Sequence, residues 1–145
     1  YYCAHPAIPM GKTSACLNFE SIGPAELTSD VSILGGGASD LDKYYEEAAA
    51  AQGRYIFFDD DNSDGWFFRS DHYNFVKKGV PALVVENGLH PVDPSRPNKY
   101  PMKMWYHQPC DEYQDDWDLE GTLANIDLIF NVGVAVANAD TLLSL

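Results

Sequence analysis

Ser70-Asp71-His72-Tyr73-Asn74-Phe75-Val76-Lys77-Lys78-Gly79-Val80-Pro81-Ala82-Leu83-Val84-Val85-Glu86 sets two elements back to back. Residues 71–78 read as a short helix closed by Gly79. Residues 81–86 are an apolar run bounded by breakers, the pattern of a buried strand. A helix that feeds at once into a buried strand is the repeating unit of an α/β layer architecture.

The same alternation extends upstream. Residues 55–58 are rich in β-formers and end in Asp59-Asp60-Asp61, and Trp66-Phe67-Phe68 reads as an aromatic strand. Before them, Ser39 is a good N-cap, with Asp40 and Asp42 in the first turn. Leu41, Tyr44, Tyr45, Ala48 and Ala49 then recur at helical spacing up to Gly53. Residues 31–34 form an apolar run stopped by Gly35-Gly36-Gly37, and residues 13–19 read as a short buried strand. Residues 1–12 are a loop broken by Pro6, Pro9 and Gly11.

Downstream, residues 88–104 form a long loop carrying Pro91, Pro94, Pro97 and Pro101, a length that often marks a functional segment. Residues 119–145 predict a long helix with Leu123, Ile126, Ile129, Phe130, Val134 and Val136 as core candidates. Strands that are apolar throughout fit a sheet covered by helices on both faces. The expected fold is α/β: a three-layer sandwich on a mixed, mainly parallel sheet, spanning residues 1–145 as a single domain.

Twenty-two acidic residues stand against nine basic ones, a net charge of −13. Such a surface repels phosphate backbones, so no nucleic-acid partner is expected. No apolar stretch predicts a membrane span, and no secretory leader opens the chain. The three cysteines, Cys3, Cys16 and Cys110, form no C-x-x-C pair, which argues against a structural thiolate zinc site. The Gly35-Gly36-Gly37 run lacks the Lys-Ser/Thr of a phosphate loop, and no G-x-S-x-G elbow occurs.

In α/β sheets chemistry collects in loops beyond strand ends. Three segments stand there: Asn18-Phe19-Glu20, Arg69-Ser70-Asp71-His72 and Tyr106-His107. Glu20 follows a strand and can offer a carboxylate to a cation, or simply cap a loop. His107 carries the commonest metal-ligand side chain, or is an ordinary loop histidine. Asp111, four residues on, can orient its ring. Arg69 and Asp71 can form a local ion pair. The adjacent Ser70, Asp71 and His72 are no evidence for a serine hydrolase, since triads are defined by geometry.

Taken in order, these segments resemble a known family. Leu17-Asn18-Phe19-Glu20-Ser21-Ile22-Gly23 resembles its strand ending in Asn-x-Asp. Asp64-Gly65-Trp66-Phe67-Phe68-Arg69-Ser70-Asp71-His72-Tyr73-Asn74-Phe75, followed by Gly79-Val80-Pro81-Ala82-Leu83, matches its Ser-Asp-His-x-x-Phe and Gly-Val-Pro-Ala motifs. Tyr106-His107-Gln108-Pro109-Cys110-Asp111 resembles its Tyr-His-x-x-x-Asp motif. The family is metallopeptidase family twenty-eight: co-catalytic zinc exopeptidases, mostly aminopeptidases, with carboxypeptidases, glutaminyl cyclases and non-enzymatic receptors among its relatives.

The resemblance implies a hydrolase in which two zinc ions share and activate a water that attacks the amino-terminal peptide bond. It assigns Glu20 and His107 as ligands to different metals. Tyr106 and Asp71 would be catalytic-site residues, and Arg69, Ser70 and Trp105 would line the substrate pocket. Two departures stand out. Glu20 occupies the place of an aspartate, lengthening that side chain by about 1.5 Å. The family's first histidine, bridging aspartate and paired glutamates, including the general base, lie upstream of the matched region. The chain is therefore expected to be the C-terminal half of a catalytic domain, with the upstream half and a peptide substrate as partners. Alone, it is expected to be inactive and to bind zinc weakly or not at all. A periplasmic or secreted location is the family expectation. Two rival readings remain: a metal-free binding module of the same fold, and a glutaminyl cyclase-like acyltransferase.

Overall fold

The structure, a computed structural model, describes residues 1–20, 23–58, 65–96 and 102–145, and for Met102 and Lys103 the backbone only. Asp59, Asp60, Asp61 and the motif residues Ser21, Ile22 and Asp64 lie outside the described residues, as do Pro97 and Pro101.

Four strands form one sheet: β1 (Cys16–Asn18), β2 (Asp30–Leu34), β3 (Tyr55–Phe58) and β4 (Ala82–Asn87), in the order β1-β4-β2-β3. β1 runs parallel to β4, with Leu17 opposite Leu83, and β2 parallel to β3, with Val31 opposite Ile56. The central pair, β2 and β4, is antiparallel, with Ile33 opposite Val85. The sheet is thus mixed and mainly parallel, as expected, and it belongs to an incomplete α/β sandwich.

Period-two alternation sorts the strand residues onto two faces. Leu17, Leu83, Val85, Val31, Ile33, Ile56 and Phe58 share one face and meet helices α1 (Leu41–Ala51) and α5 (Glu120–Ala137). Leu41, Tyr45 and Ala49, one turn apart, give α1 its buried stripe, and Leu128 and Val132 do the same for α5. On the other face Ser32, Leu34, Ala82 and Val84 are buried, whereas Tyr55 and Phe57 of the edge strand β3 are 50% and 36% exposed. The expectation of cover on both faces therefore holds over β2 and β4 and fails at β3.

Several boundaries differ from the sequence reading. Trp66-Phe67-Phe68 is not a strand but part of a one-turn helix, α2 (Trp66–Arg69), entered through Gly65 at φ 66°. Three consecutive aromatics favour a strand by propensity, but packing on Gly35, Tyr73 and Tyr106 overrides that preference. The helix read over residues 71–78 is only α3 (Tyr73–Val76), and the long loop contains a short helix, α4 (Met102–Trp105). Ser39 caps α1 as expected: its Oγ accepts from Leu41 N at 3.4 Å and Asp42 accepts from Gly37 N and Ser39 N, whereas Asp40, already in helical conformation, makes no side-chain cap bond.

α5 ends at Ala137, short of the chain end, and of the six expected core residues only Ile129 and Val136 pack on the core, both partly buried. Leu123, Ile126, Phe130 and Val134 are exposed, while Gly121, Thr122, Asn125, Leu128 and Val132 are buried. Gly121 N donates to Ala25 O at 2.8 Å, and a Cβ there would strike the Ala25 and Glu26 backbone, so this turn must be the inner one. By length and composition α5 is also long and apolar enough to cross a membrane, with mean hydropathy 1.2 over 18 residues. Its inner face is packed on α1 and β4 in the manner of a sheet-covering helix.

Candidate functional site

Glu20 lies two residues beyond β1, on an exposed turn. Its Oε1 accepts from Asn18 Nδ2 at 2.5 Å and from the backbone N–H of Asp71 at 3.2 Å. The carboxylate thereby fastens the end of β1 to the loop between α2 and α3. One of its oxygens is occupied by protein donors and the other takes no hydrogen bond among the described residues.

Residues 66–72 connect this point to the second candidate ligand. The Arg69 guanidinium lies 4.9 Å from the centre of the Trp66 ring, a cation–π contact. Arg69 makes no ion pair with Asp71 among the described residues, so the expected local pair is replaced by this stacking. Ser70 Oγ donates to Trp66 O at 3.3 Å. Trp66 meets Tyr106 edge-on at 6.4 Å, and Tyr106 stacks on His107 at 3.9 Å with 19° between the planes. Glu20 and the Tyr106–His107 pair thus contact the same short segment, one near each end.

His107 has φ 58°, the one non-glycine residue with positive φ among the described residues. A left-handed backbone at a side chain of this size is uncommon and costs about 1 kcal/mol or more. It aims the exposed ring back along Tyr106 rather than onward along the chain. Asp111, expected to orient this ring, makes no hydrogen bond to it among the described residues; its N–H caps the turn on Gln108 O at 3.0 Å. Trp105 is half-buried and its carbonyl accepts from Gln108 N at 2.8 Å.

His72 is fully buried, and neither ring nitrogen has a hydrogen-bond partner among the described residues. The edge of Phe67 packs against it at 4.8 Å. Burial pushes its pKa down, against the opposing pull of the Glu20 and Asp71 charges, so the ring is neutral at pH 7. Cys16 is also near Asp71: burial first, then the Cys3 and Asp71 charges, push its thiol up to about 11. Cys3, Cys16 and Cys110 are all free thiols.

The donor set decides what metal chemistry these residues support by themselves. Among the described residues no three His, Cys, Asp or Glu side chains converge as a cation cage. A stable zinc site takes three or four protein ligands. Glu20 and His107 do not meet that requirement here, so no zinc-dependent step is derived from this chain's geometry.

A second polar cluster, not anticipated as a cluster from the sequence, lies around the start of β2. The buried Arg54 guanidinium donates to Thr28 O, Thr28 Oγ1, Asp30 O, Gln52 Oε1 and Asn125 Oδ1 at 2.8–3.3 Å. Asp30 in turn receives donors from Leu89 and His90. A charged residue at the start of each of two strands, Asp30 as the first residue of β2 and Arg54 just before β3, is the signal in the sequence that marks it.

In a comparison with known protein families, residues 1–132 match the model of peptidase family M28. No curated protein and no solved structure matches the chain.

Proposed function

The chain belongs to peptidase family M28, and from that premise we propose that it is the C-terminal half of the catalytic domain of a zinc-dependent exopeptidase that removes amino-terminal residues from peptides. The family makes it a peptidase, and family M28 is typically zinc-dependent. The finer reading is supported by one arrangement: Glu20 and Tyr106–His107, at the family's motif positions, contact opposite ends of residues 66–72.

In this reading Glu20 and His107 each supply one ligand, and residues preceding this chain complete the centre. Bound zinc would supply an activated water. Asp71 positions Glu20 through its backbone N–H, and Tyr106 holds the His107 ring by stacking. Arg69, Ser70, Trp66 and Trp105 line the approach to the site. A periplasmic or secreted location belongs to the same proposal.

The test uses protein that carries the preceding residues. Bound zinc is measured by elemental analysis, and hydrolysis with aminoacyl-anilides. Glu20→Ala and His107→Ala are each expected to lower bound zinc and to cut kcat/KM by about 100-fold or more. A protein that binds zinc and hydrolyses normally with both substitutions would sink the assignment. Cyclisation of amino-terminal glutamine without hydrolysis would favour the acyltransferase instead.

A further inference from the structure

A buried carboxylate orients an exposed imidazole beside the edge strand. Asp30, fully buried, accepts from the backbone N–H groups of Leu89 at 3.0 Å and His90 at 2.9 Å, and stands 2.9 Å from His90 Nδ1. Burial pushes the Asp30 carboxyl up, but these donors outweigh it and hold the group below the usual carboxylate range. An ionised carboxylate can only accept, so Nδ1 must carry the proton. In the neutral ring the lone pair is then on Nε2.

The backbone around His90 is clamped as well. Ser29 N donates to His90 O at 2.9 Å and Val92 N to Leu27 O at 2.9 Å, while Thr28 bridges to Pro91. A Cβ on Gly88 would collide with the Asp30 carbonyl oxygen, with Asp30 Oδ1 and with Thr28 Oγ1, so only glycine lets this loop close. Although pinned at its backbone and at Nδ1, the His90 side chain is 61% exposed, and Nε2 has no partner among the described residues. Tyr55 faces it, with ring centres 6.5 Å apart and its hydroxyl 3.3 Å from Nδ1. Leu89 and Val92, either side of His90 in the chain, are exposed apolar residues, as is Tyr55.

We propose that His90 and Tyr55 form a subsite for a primary ammonium group borne on an apolar residue, the amino terminus of a peptide, with His90 Nε2 accepting its hydrogen bond. The peptide as ligand rests on the peptidase reading; the geometry itself asks for a cationic donor beside an apolar group. A fixed lone pair backed by a carboxylate rejects anions and pure acceptors. The net charge of −13 draws cations to the surface, and the half-exposed aromatic ring of Tyr55 stands beside His90, where a cation can meet it.

The test is NMR on the 145-residue chain, where long-range proton–nitrogen spectra read the His90 tautomer directly. The probes are leucylglycinamide, its N-acetyl derivative and isobutylamine. The expected result is a proton on Nδ1 and, in the neutral ring, none on Nε2. Leucylglycinamide should then shift Nε2 and the Tyr55 ring saturably, and acetylation should weaken binding by about tenfold or more. His90→Gln should abolish the Tyr55 shift while the remaining spectrum stays that of the folded chain. A neutral ring protonated on Nε2, or equal responses to the free and acetylated peptides, would overturn the proposal. Equal binding of isobutylamine would overturn the peptide as its source. Hydrolysis is not read, so a failure of the zinc-peptidase reading would show in the activity assay and leave this titration unchanged.

Discussion

Arg54 donates to five acceptors, none of them a carboxylate, and it is 6% exposed. Burial pushes its pKa down, the Asp30 charge partly opposing this, yet a guanidinium stays protonated at any working pH. Arg54→Met would leave the Thr28 carbonyl and Asn125 Oδ1 buried without donors, while Asp30 O keeps the Thr28 hydroxyl. Each such group costs about 1–3 kcal/mol, so the expected loss is about 3 kcal/mol, read as a lower urea midpoint. His72 presents the opposite case, a buried ring whose nitrogens have no partner among the described residues. Replacing an unsatisfied polar group by an apolar one of similar shape is close to neutral. His72→Phe should therefore keep stability at pH 7 within about 1 kcal/mol. Its pH signature is specific. The folded pKa of His72 is depressed, so below the unfolded value of about 6.5 the unfolded chain binds more protons than the folded one. Stability then falls as pH drops from about 6.5 towards the folded pKa, and His72→Phe should flatten that part of the profile. Thermal melts between pH 7 and pH 5 check this; an unchanged slope would mean that His72 is already partnered in solution. The sequence marked His72 as part of a motif, but its isolation depends on Phe67, which the sequence placed on a strand.

α1 was legible as an element because Leu41, Tyr45 and Ala49 repeat every four residues and all three point into the core. β2 and β4 were legible because short apolar runs between breakers have few other readings. α2 was not, since Trp66-Phe67-Phe68 carries β-propensity and no helical period can be read from four residues. α5 failed in a more instructive way. Its apolar residues surround most of the helix, so periodicity identified a helix without identifying its inner face. The decisive residues were small or polar. Gly121 allows contact with the Ala25–Glu26 backbone, and Asn125 is drawn inward by Arg54 and by Asn87 Oδ1 at 3.0 Å. That orientation makes a sharp comparison. Leu128 is fully buried, and Leu128→Ala should cost about 2–5 kcal/mol. Phe130, the larger side chain, is 67% exposed, and Phe130→Gln should cost about 0.5 kcal/mol or less. Urea denaturation of the two variants decides it, because the sequence-based core assigns the large penalty to Phe130 instead.

At the scale of the whole molecule the sequence placed three polar segments at strand ends, but only Asn18-Phe19-Glu20 follows a strand; the other two follow the short helices α2 and α4, and contacts with residues 66–72 link all three. What the motifs could not convey is how the candidate ligands are engaged, by Asp71 N and Asn18 at Glu20 and by the Tyr106 ring at His107. That engagement bears directly on zinc. A cage needs three or four ligands at about 2.0–2.2 Å. Glu20 has Oε1 tied to two protein donors, and His107 stands exposed on an aromatic stack. The remaining histidines offer little rescue. His5 lies against Tyr1 at 4.9 Å, His72 is sealed in the core, and His90 has Nδ1 committed to Asp30. Drawing any of them to Glu20 would break backbone or core contacts whose cost a single added ligand does not offset. The expected outcome of calorimetric titration of the 145-residue chain with zinc is therefore no stoichiometric submicromolar site, and no hydrolysis of aminoacyl-anilides with zinc present. Glu20→Ala should leave that weak titration unaltered, because the residue already serves the loop. Tight binding accompanied by hydrolysis would show that these residues assemble a complete centre, and the division of the site between this chain and preceding residues would have to be abandoned.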